Sequence, residues 1–422
     1  MITAVKNRLI EALKWSEKYT KTDMVYLATG GSWLLSAQFV NFVSAFFLLW
    51  LFANFLPKEV YGQYRFLITI VALLGLFALP GMNTAVVGAT ALNKTGTYKL
   101  AIRQKLLWGT LAFLGGAVMS IYYFVQNDLT LSILFAIIAI FTPFISTYTL
   151  YESHLNGLKK FELMSVLQII QRSVVVVTLV TAIFLTENII LILLAYLISM
   201  LFSFKLSEYI ALRKYPLNDL NELDAIKYGK KLSLISALRS GSQYLDKISL
   251  WYFAGPVQVA QYVVAVSIPN EISAASGQLS KLALPKMSVR DKFELKNSLL
   301  RKVFIYFIFL IPVAILYIIS VPIIFNTFLP QYQDSIFFSQ LASLLILSAP
   351  IGLLTQYFYA TKHIKALYVV NIIEPIVLII CYMALIPLFG IIGVITASLV
   401  RFVIIFIMLV YYLLNEEVTS LV

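Results

Sequence analysis

The chain has 422 residues, of which 60% are hydrophobic and only 12% are charged, and its mean hydropathy is +0.88. This composition excludes an ordinary soluble domain and a disordered chain, because both classes carry more charge and fewer apolar residues. The single cysteine, Cys381, excludes an intramolecular disulfide.

Twelve apolar segments are long enough to cross a membrane. A crossing helix needs roughly 20 mostly apolar residues, because the hydrocarbon core is about 30 Å thick and each residue rises about 1.5 Å. The segments cover residues 31–54, 65–91, 105–126, 131–153, 163–186, 188–211, 231–253, 257–280, 303–327, 335–360, 366–388 and 391–414. The sequence therefore predicts an all-α polytopic membrane protein with twelve transmembrane helices.

The segment that precedes the first span, residues 1–30, alternates apolar and charged residues. The apolar residues include Leu9 and Leu13, and the charged residues that alternate with them include Lys6 and Lys14. No compact apolar core or small-residue cleavage site is present, so a cleavable signal peptide is not expected. The pattern predicts an amphipathic helix on the cytoplasmic membrane surface.

The distribution of positive charge predicts the orientation. Most of the 32 Lys and Arg residues fall before the first span and in every second loop, whereas the opposite loops hold only Lys58 and Arg65. By the positive-inside rule both termini are cytoplasmic. Topology and anionic lipid headgroups then account for the formal charge of +12, so we expect membrane lipids and no nucleic acid as partners.

A polar linker divides the spans into two groups of six. Residues 213–230 form the linker between an N-terminal lobe, 31–212, and a C-terminal lobe, 231–414, and a cytoplasmic tail follows at 415–422. Because each lobe has an even number of spans, the two lobes can be related by an axis along the membrane normal, as in parallel-repeat transporters.

Prolines interrupt several spans. Pro80 and Gly81 break the second span, and Pro269 with Asn270 breaks the eighth. Proline removes a backbone donor and clashes with the preceding turn, so each position is an expected kink. The kinks either shape the helices or bend between transport states. In the second interpretation Pro80, Gly81 and Pro269 are hinge residues.

Charged residues within the spans are the strongest functional signal, because an ionisable side chain costs at least about 2.5 kcal/mol at the bilayer centre. Arg239 lies deep in the seventh span, and helical spacing places Gln243 and Asp246 on the same face. Lys247 lies off this polar stripe, towards the far end of the span. The other candidates within or beside spans are Arg172, Arg401, Arg65, Glu271, Glu374 and Asn270.

Two interpretations of these charges stay open. In the first, Glu271 and Glu374 form buried ion pairs with Arg239 and Arg401. In the second, the arginines line a cationic cavity for an anionic substrate, since a guanidinium donates two parallel bonds to a phosphate and never deprotonates.

No sequence motif supports an enzyme. The chain lacks the phosphate-binding, dinucleotide-binding and zinc-protease patterns, and the loops that face away from the cytoplasm are short. We therefore expect no catalytic residues, no metal site and no cofactor.

Three stretches resemble a known family. They are "LPKEVYGQYRFLITIVALLGLFALPGMNTAVV" at 56–87, "YLDKISLWYFAGPVQVAQYVVAVSIPNE" at 244–271 and "LALPKMS" at 282–288. They resemble the polysaccharide repeat-unit flippases of Wzx type, in the superfamily that also contains multidrug and toxin exporters and the peptidoglycan-precursor flippase. The likeness is diffuse in its motifs but extends over essentially the whole chain in span number, linker position and length.

The resemblance implies two six-helix lobes around a central cavity. It implies alternating access that moves an undecaprenyl-pyrophosphate-linked oligosaccharide from the cytoplasmic to the outer leaflet of a bacterial inner membrane, for O-antigen or capsule synthesis. Arg239, Arg172 and Arg401 would face the cavity, and Arg65 and Lys247 are further basic candidates.

Asp246 stands at the position of the family's aspartate in the seventh span, and Lys247 replaces the arginine that commonly follows it. A polysaccharide polymerase and a chain-length regulator are the expected protein partners. Protons or sodium as coupling ion remain open.

Two other functions are weighed against the flippase. A multidrug exporter of the same fold would place carboxylates in its cavity for cationic drugs, whereas the charges within these spans are mainly basic. A membrane polymerase or ligase of the same pathway would need a long external loop, and the sequence has none.

Overall fold

The computed structural model describes residues 24–288, 292–361 and 363–415. Most of the predicted amphipathic segment 1–30 and almost all of the tail 415–422 lie outside these residues. Residues 24–30 belong to the first described helix.

In the described residues every regular element is a helix, as the sequence predicts. The first eight are α1 (Met24–Phe55), α2 (Lys58–Gly75), α3 (Gly81–Ala91), α4 (Thr97–Val125), α5 (Leu129–Tyr148), α6 (Leu150–Gly157), α7 (Phe161–Leu185) and α8 (Ile189–Lys214). The remaining seven are α9 (Leu223–Ser242), α10 (Leu245–Ser288), α11 (Lys292–Phe328), α12 (Ile336–Ala342), α13 (Ile351–Thr361), α14 (Ile364–Tyr368) and α15 (Glu374–Leu414). Short 3-10 segments and one π-helix, Val369–Ile373, connect some of them.

Within the described ranges, nine stretches are long and apolar enough to cross a membrane. They are Ser36–Phe55, Lys58–Ala78, Thr97–Val125, Leu129–Gly157, Phe161–Leu185, Ile189–Lys214, Ser298–Phe328, Pro330–Thr361 and Lys365–Leu414. The predicted multi-pass membrane protein is confirmed, but the count of twelve is not.

The difference in count has two visible sources. The stretch Lys365–Leu414 contains two predicted spans, 366–388 and 391–414, in one apolar run of 50 residues. The helices α9 and α10, which hold the seventh and eighth predicted spans, are not among the nine.

The second predicted span is broken where the sequence indicates. A 3-10 turn, Leu76–Ala78, ends α2, and Leu79 adopts a positive φ of 54° before Pro80 begins the next helix. The amide of Gly81 then donates to Ser233 Oγ at 2.9 Å. A side chain at Gly81 would meet the carbonyl oxygen of Gly229 at 2.6 Å, so glycine is required for this close approach.

The predicted break in the eighth span is wrong for the backbone. The helix α10 continues through Pro269 and Asn270, and its one non-helical residue is Gly255, at φ 82°. A substituent at Gly255 would meet no atom within 4 Å, so only the backbone conformation favours glycine there.

The chain forms two compact units, each with its own core. The first comprises residues up to 48, 77–186 and 190–233. Its core contains two apolar clusters, one around Met82 and Val86 and one around Leu155 and Leu167.

The second unit comprises 49–76, 187–189 and residues from 234 onward. Its core centres on Tyr357, Phe358 and Leu409. Residues 49–76 pack in this unit although they precede the linker, so the lobe boundaries 31–212 and 231–414 stay a prediction.

Candidate functional site

Arg239 lies three residues before the end of α9, in the second unit, and is half-buried. Its Nη1 donates to the side-chain oxygen of Asn371 at 3.4 Å. Among the described residues no carboxylate forms an ion pair with it. Because this amide is neutral, it does not compensate the positive charge of the guanidinium, which can therefore attract an anionic ligand.

The partner Asn371 sits in the π-helix Val369–Ile373, and its amide nitrogen donates to Leu367 O at 2.8 Å. The wider π-turn immediately precedes Glu374 and Pro375, where α15 begins. Single π-turns inside α-helices are costly and occur frequently at functional sites. The irregular backbone therefore marks this segment as a candidate site in its own right.

Glu374 pairs with Arg401 rather than with Arg239. The Arg401 Nη1 atom lies 2.5 Å from Glu374 Oε1, and the two side chains are 28% and 17% exposed. The sequence left open whether Glu374 pairs with Arg239 or with Arg401, and the structure shows the pair with Arg401. The buried Nε of Arg401 has no hydrogen-bond partner among the described residues, so the guanidinium retains donor capacity.

A reversal of the chain within α15 brings these two residues together. Gly390 adopts φ 53° and ψ −124°, which only glycine adopts without strain. The hydroxyls of Tyr382 and Ser398 lie 3.4 Å apart across the reversal. Glu374 and Arg401, which lie on opposite sides of Gly390, meet for the same reason.

A second buried charge cluster surrounds Asp246 near the start of α10. Lys247 Nζ lies 2.9 Å from Asp246 Oδ2, and Tyr262 OH donates to the same oxygen at 2.8 Å. Asp246 is 7% exposed. Arg401 is close enough to Tyr262 for its charge to act on the Tyr262 hydroxyl, so this cluster adjoins the Arg401–Glu374 pair.

The predicted polar stripe of Arg239, Gln243 and Asp246 is wrong as a single helical face. It assumed a continuous helix, whereas the helix is interrupted at Gln243 and Tyr244, between α9 and α10. Gln243 is exposed and Asp246 is buried. Lys247, expected to lie towards the interface, instead pairs with its neighbour Asp246.

The remaining candidates have the following positions. Arg172 is half-buried on α7 in the first unit, and Arg65 is half-buried on α2 in the second, where its carbonyl accepts from Thr69. Glu271 and Asn270 are exposed on α10. Of the predicted residues, the structure thus pairs Arg401 with Glu374 and Lys247 with Asp246. It adds Asn371 as the partner of Arg239 and Tyr262 as a partner of Asp246.

Sequence reasoning missed a buried cation in the first unit. Lys105 is the first residue of the predicted span 105–126 and was not named as a candidate, but it lies inside α4, is 2% exposed and donates to Asn83 Oδ1 at 2.9 Å. A signal was present in the sequence. Lys105 falls four residues after Ala101 and four before Gly109, on a stripe of small residues that typically faces other helices.

Comparison with known proteins gives a family and a fold. A search of curated proteins finds no match. Residues 27–277, more than half of the chain, match the family described as "Polysaccharide biosynthesis protein".

Three solved structures share the fold. The inward closed conformation of the lipid II flippase MurJ has a TM-score of 0.71 and 16% identity over 90% of this chain and 87% of that one. An inward-facing MATE-family multidrug resistance transporter of the MOP superfamily has a TM-score of 0.61 and 13% identity over 91% and 96% of the two chains.

A MOP-superfamily transporter from Pyrococcus furiosus has a TM-score of 0.52 and 14% identity over 94% and 95% of the two chains. At these identities the likeness concerns the fold alone. The fold is that of the MOP-superfamily transporters, and the chain belongs to the polysaccharide biosynthesis protein family.

Proposed function

We propose that the protein is a flippase that moves undecaprenyl-pyrophosphate-linked oligosaccharide repeat units from the cytoplasmic to the outer leaflet of a bacterial inner membrane. The observation that carries the proposal is membership of the polysaccharide biosynthesis family in a chain with the fold of MOP-superfamily transporters. A membrane transporter in such a pathway has a lipid-linked sugar precursor as its natural cargo.

The charge of the candidate site supports an anionic headgroup. Arg239 has a neutral amide partner, and the Arg401 side chain is 28% exposed beside its ion pair with Glu374. Two guanidinium groups with spare donors suit a pyrophosphate, because each can donate two parallel charge-assisted bonds. In this proposal Arg239 and Arg401 bind the pyrophosphate, and Arg172, Arg65 and Lys247 contribute positive potential.

Alternating access requires coupling and movement. We assign the coupling to Asp246, whose buried carboxylate accepts from Tyr262 and pairs with Lys247, with a proton or a sodium ion as the exchanged charge. The hinge is assigned to Pro80 and Gly81, where the backbone is already broken. Both termini are cytoplasmic in this arrangement, and the polymerase and chain-length regulator receive the cargo on the outer side.

Deletion of the gene tests the proposal in cells. Without the flippase, the lipid-linked repeat unit should accumulate in the cytoplasmic leaflet, where a membrane-impermeant glycosidase or lectin cannot reach it in intact spheroplasts. Lysed spheroplasts serve as the control for total precursor. Precursor that is fully accessible in intact spheroplasts of the deletion strain would contradict the proposal.

Drug export is the second candidate, because the chain also has the fold of an inward-facing MATE-family transporter. The same deletion strain separates the two functions. Increased sensitivity to cationic drugs with unchanged surface glycan would favour export, whereas loss of glycan at unchanged drug sensitivity favours the flippase. No observation favours a polymerase or ligase.

A further inference from the structure

A lateral groove of about 450 Å³ lies in the first unit, with walls formed by α5 and α8. Its lining residues recur at helical spacing, so each helix contributes one continuous face. They are Phe141, Phe144 and Tyr148 on α5, and Ile198, Leu201, Phe202 and Lys205 on α8. Phe144, Ile198 and Phe202 are 40%, 52% and 61% exposed, so the groove opens to the surface of the unit.

One end of this apolar groove carries a lysine ammonium that is paired with a buried carboxylate. Lys205 Nζ lies 4.1 Å from the ring centroid of Tyr148 and 2.6 Å from Glu208 Oε2. Glu208 is buried and also accepts from Tyr98 OH at 2.8 Å. The ammonium is therefore held in place by buried groups, while the Lys205 side chain remains 57% exposed.

The ammonium keeps one donor for a ligand. An ammonium has three N–H donors, and among the described residues the Glu208 carboxylate and the Tyr148 hydroxyl each accept one of them. Beyond Lys205, α8 ends at Arg213 and Lys214, which add positive charge towards the same end. The free donor of Lys205 and the two basic residues beyond it favour a headgroup phosphate with net negative charge at this end of the groove.

The dimensions select a single acyl chain. From Ile198 to Lys205 the helix rises roughly 10 Å, within one leaflet of about 15 Å. At a water-sized share of about 30 Å³ per group, the groove holds on the order of 15 methylene-sized groups. An undecaprenyl chain is several times larger, so most of the hydrocarbon of the proposed cargo would lie outside the groove.

We infer that this groove is a binding site for an anionic glycerophospholipid. One acyl chain lies along Phe141, Phe144, Ile198 and Phe202, and the headgroup phosphate contacts Lys205. None of the candidate transport residues is among the residues that line the groove, and the inference does not depend on the proposed function. The site would order one lipid beside α5 and α8. In the topology predicted from the sequence, the Lys205 end of the groove faces the cytoplasm, so the headgroup lies in the cytoplasmic leaflet.

Native mass spectrometry of the full-length protein tests the inference. The protein is reconstituted in vesicles of equal parts palmitoyl-oleoyl phosphatidylglycerol and palmitoyl-oleoyl phosphatidylethanolamine, extracted in mild detergent and measured. We expect one retained phosphatidylglycerol per chain. Because one basic side chain near the surface contributes about 1 kcal/mol to anionic lipid binding, Lys205→Met should lower the retained fraction about fivefold.

Filling the groove provides a second, independent variant. Ile198→Trp should occlude the groove and abolish retention without changing any charge. Its matched control is Ile121→Trp, at a 64% exposed position on α4. The control for Lys205→Met is Lys227→Met, which removes a lysine that also has a carboxylate partner three residues away. Both controls should retain the lipid as the unmodified protein does.

Three results would overturn the inference. Equal retention in the groove variants and their controls would show that the lipid binds elsewhere. Retention of both phospholipids in equal amounts would remove the role of the anionic headgroup. Displacement of phosphatidylglycerol by an equimolar amount of undecaprenyl phosphate would assign the groove to the polyprenyl chain instead.

Discussion

At the scale of single residues, the charges within the spans were predictable but their partners were not. Arg239, Arg401, Glu374 and Asp246 stand out from the sequence because ionisable residues are costly in apolar segments. Which carboxylate meets which arginine depends on the reversal at Gly390, and no helical periodicity shows it. The spacing of residues in the sequence predicts which side chains are neighbours only within one continuous helix.

Lys105 was missed for a different reason. A lysine near the end of a membrane span is usually solvated. The sign that Lys105 is buried was its spacing of four residues from Ala101 and from Gly109. Asn371 and Tyr262 were missed because neutral polar residues are common in membrane helices. Their roles follow from contacts that only the structure shows.

The Arg401–Glu374 pair gives a prediction about stability. Glu374→Leu leaves the Arg401 guanidinium without its carboxylate, and breaking such a largely buried pair should lower the free energy of unfolding by about 3 kcal/mol. The double variant Glu374→Leu with Arg401→Met removes both charges and should lie within about 1 kcal/mol of the unmodified protein. Unfolding of the purified protein in detergent measures all three.

An exposed pair serves as the control for this comparison. Asp224→Leu breaks the contact between Asp224 and Lys227, both of which are largely exposed, and should change stability little because exposed pairs contribute roughly 0–1 kcal/mol. A loss for Glu374→Leu no greater than that for Asp224→Leu would show that the Arg401–Glu374 contact does not contribute to the folded state.

At the scale of elements, proline signals predicted one break and missed others. Pro80 and Gly81 mark a true interruption, because Leu79 takes a left-handed conformation just before them. Pro269 does not interrupt α10, since a proline can be accommodated in a membrane helix when neighbouring groups satisfy the freed carbonyl. Gly255 and Gly390 carry the backbone reversals instead, and a lone glycine gives a weaker signal than proline followed by glycine.

Two glycines of α3 make a matched pair for testing the break. A Cβ at Gly81 would lie 2.6 Å from both Gly229 O and the Ser233 amide, whereas a Cβ at Gly88 meets nothing within 4 Å. Gly81→Ala should therefore destabilise the protein, because backbone atoms must shift. Gly88→Ala should be neutral or stabilise it by up to about 1 kcal/mol, since alanine favours helix over glycine.

Thermal unfolding of the two variants in the same detergent measures this difference. If Gly81→Ala unfolds at the same temperature as Gly88→Ala, the close approach of α3 to residues 229–233 does not constrain the break.

At the scale of the whole molecule, composition alone predicted the class. High hydropathy and regular apolar segments indicate a multi-pass helical membrane protein, which the structure and the comparisons confirm. The number of spans was less predictable for two reasons. The helices α9 and α10 are more polar than a typical membrane-spanning helix, and one apolar stretch of 50 residues holds two predicted spans. The packing of residues 49–76 in the second unit also had no sequence signal, because long-range contacts decide it.

Reconstituted transport tests the central claim most directly. Proteoliposomes are loaded with an undecaprenyl-pyrophosphate-linked oligosaccharide in both leaflets, and a membrane-impermeant glycosidase outside removes only the sugar that reaches the outer leaflet. The unmodified protein should make all of the precursor accessible. Arg239→Ala should leave about the inner half protected, and Arg239→Lys should transport only partially, because lysine cannot donate a bidentate pair to the pyrophosphate. Full accessibility with Arg239→Ala at equal protein content would contradict the role of Arg239, and a protected inner pool with the unmodified protein would contradict the flippase itself.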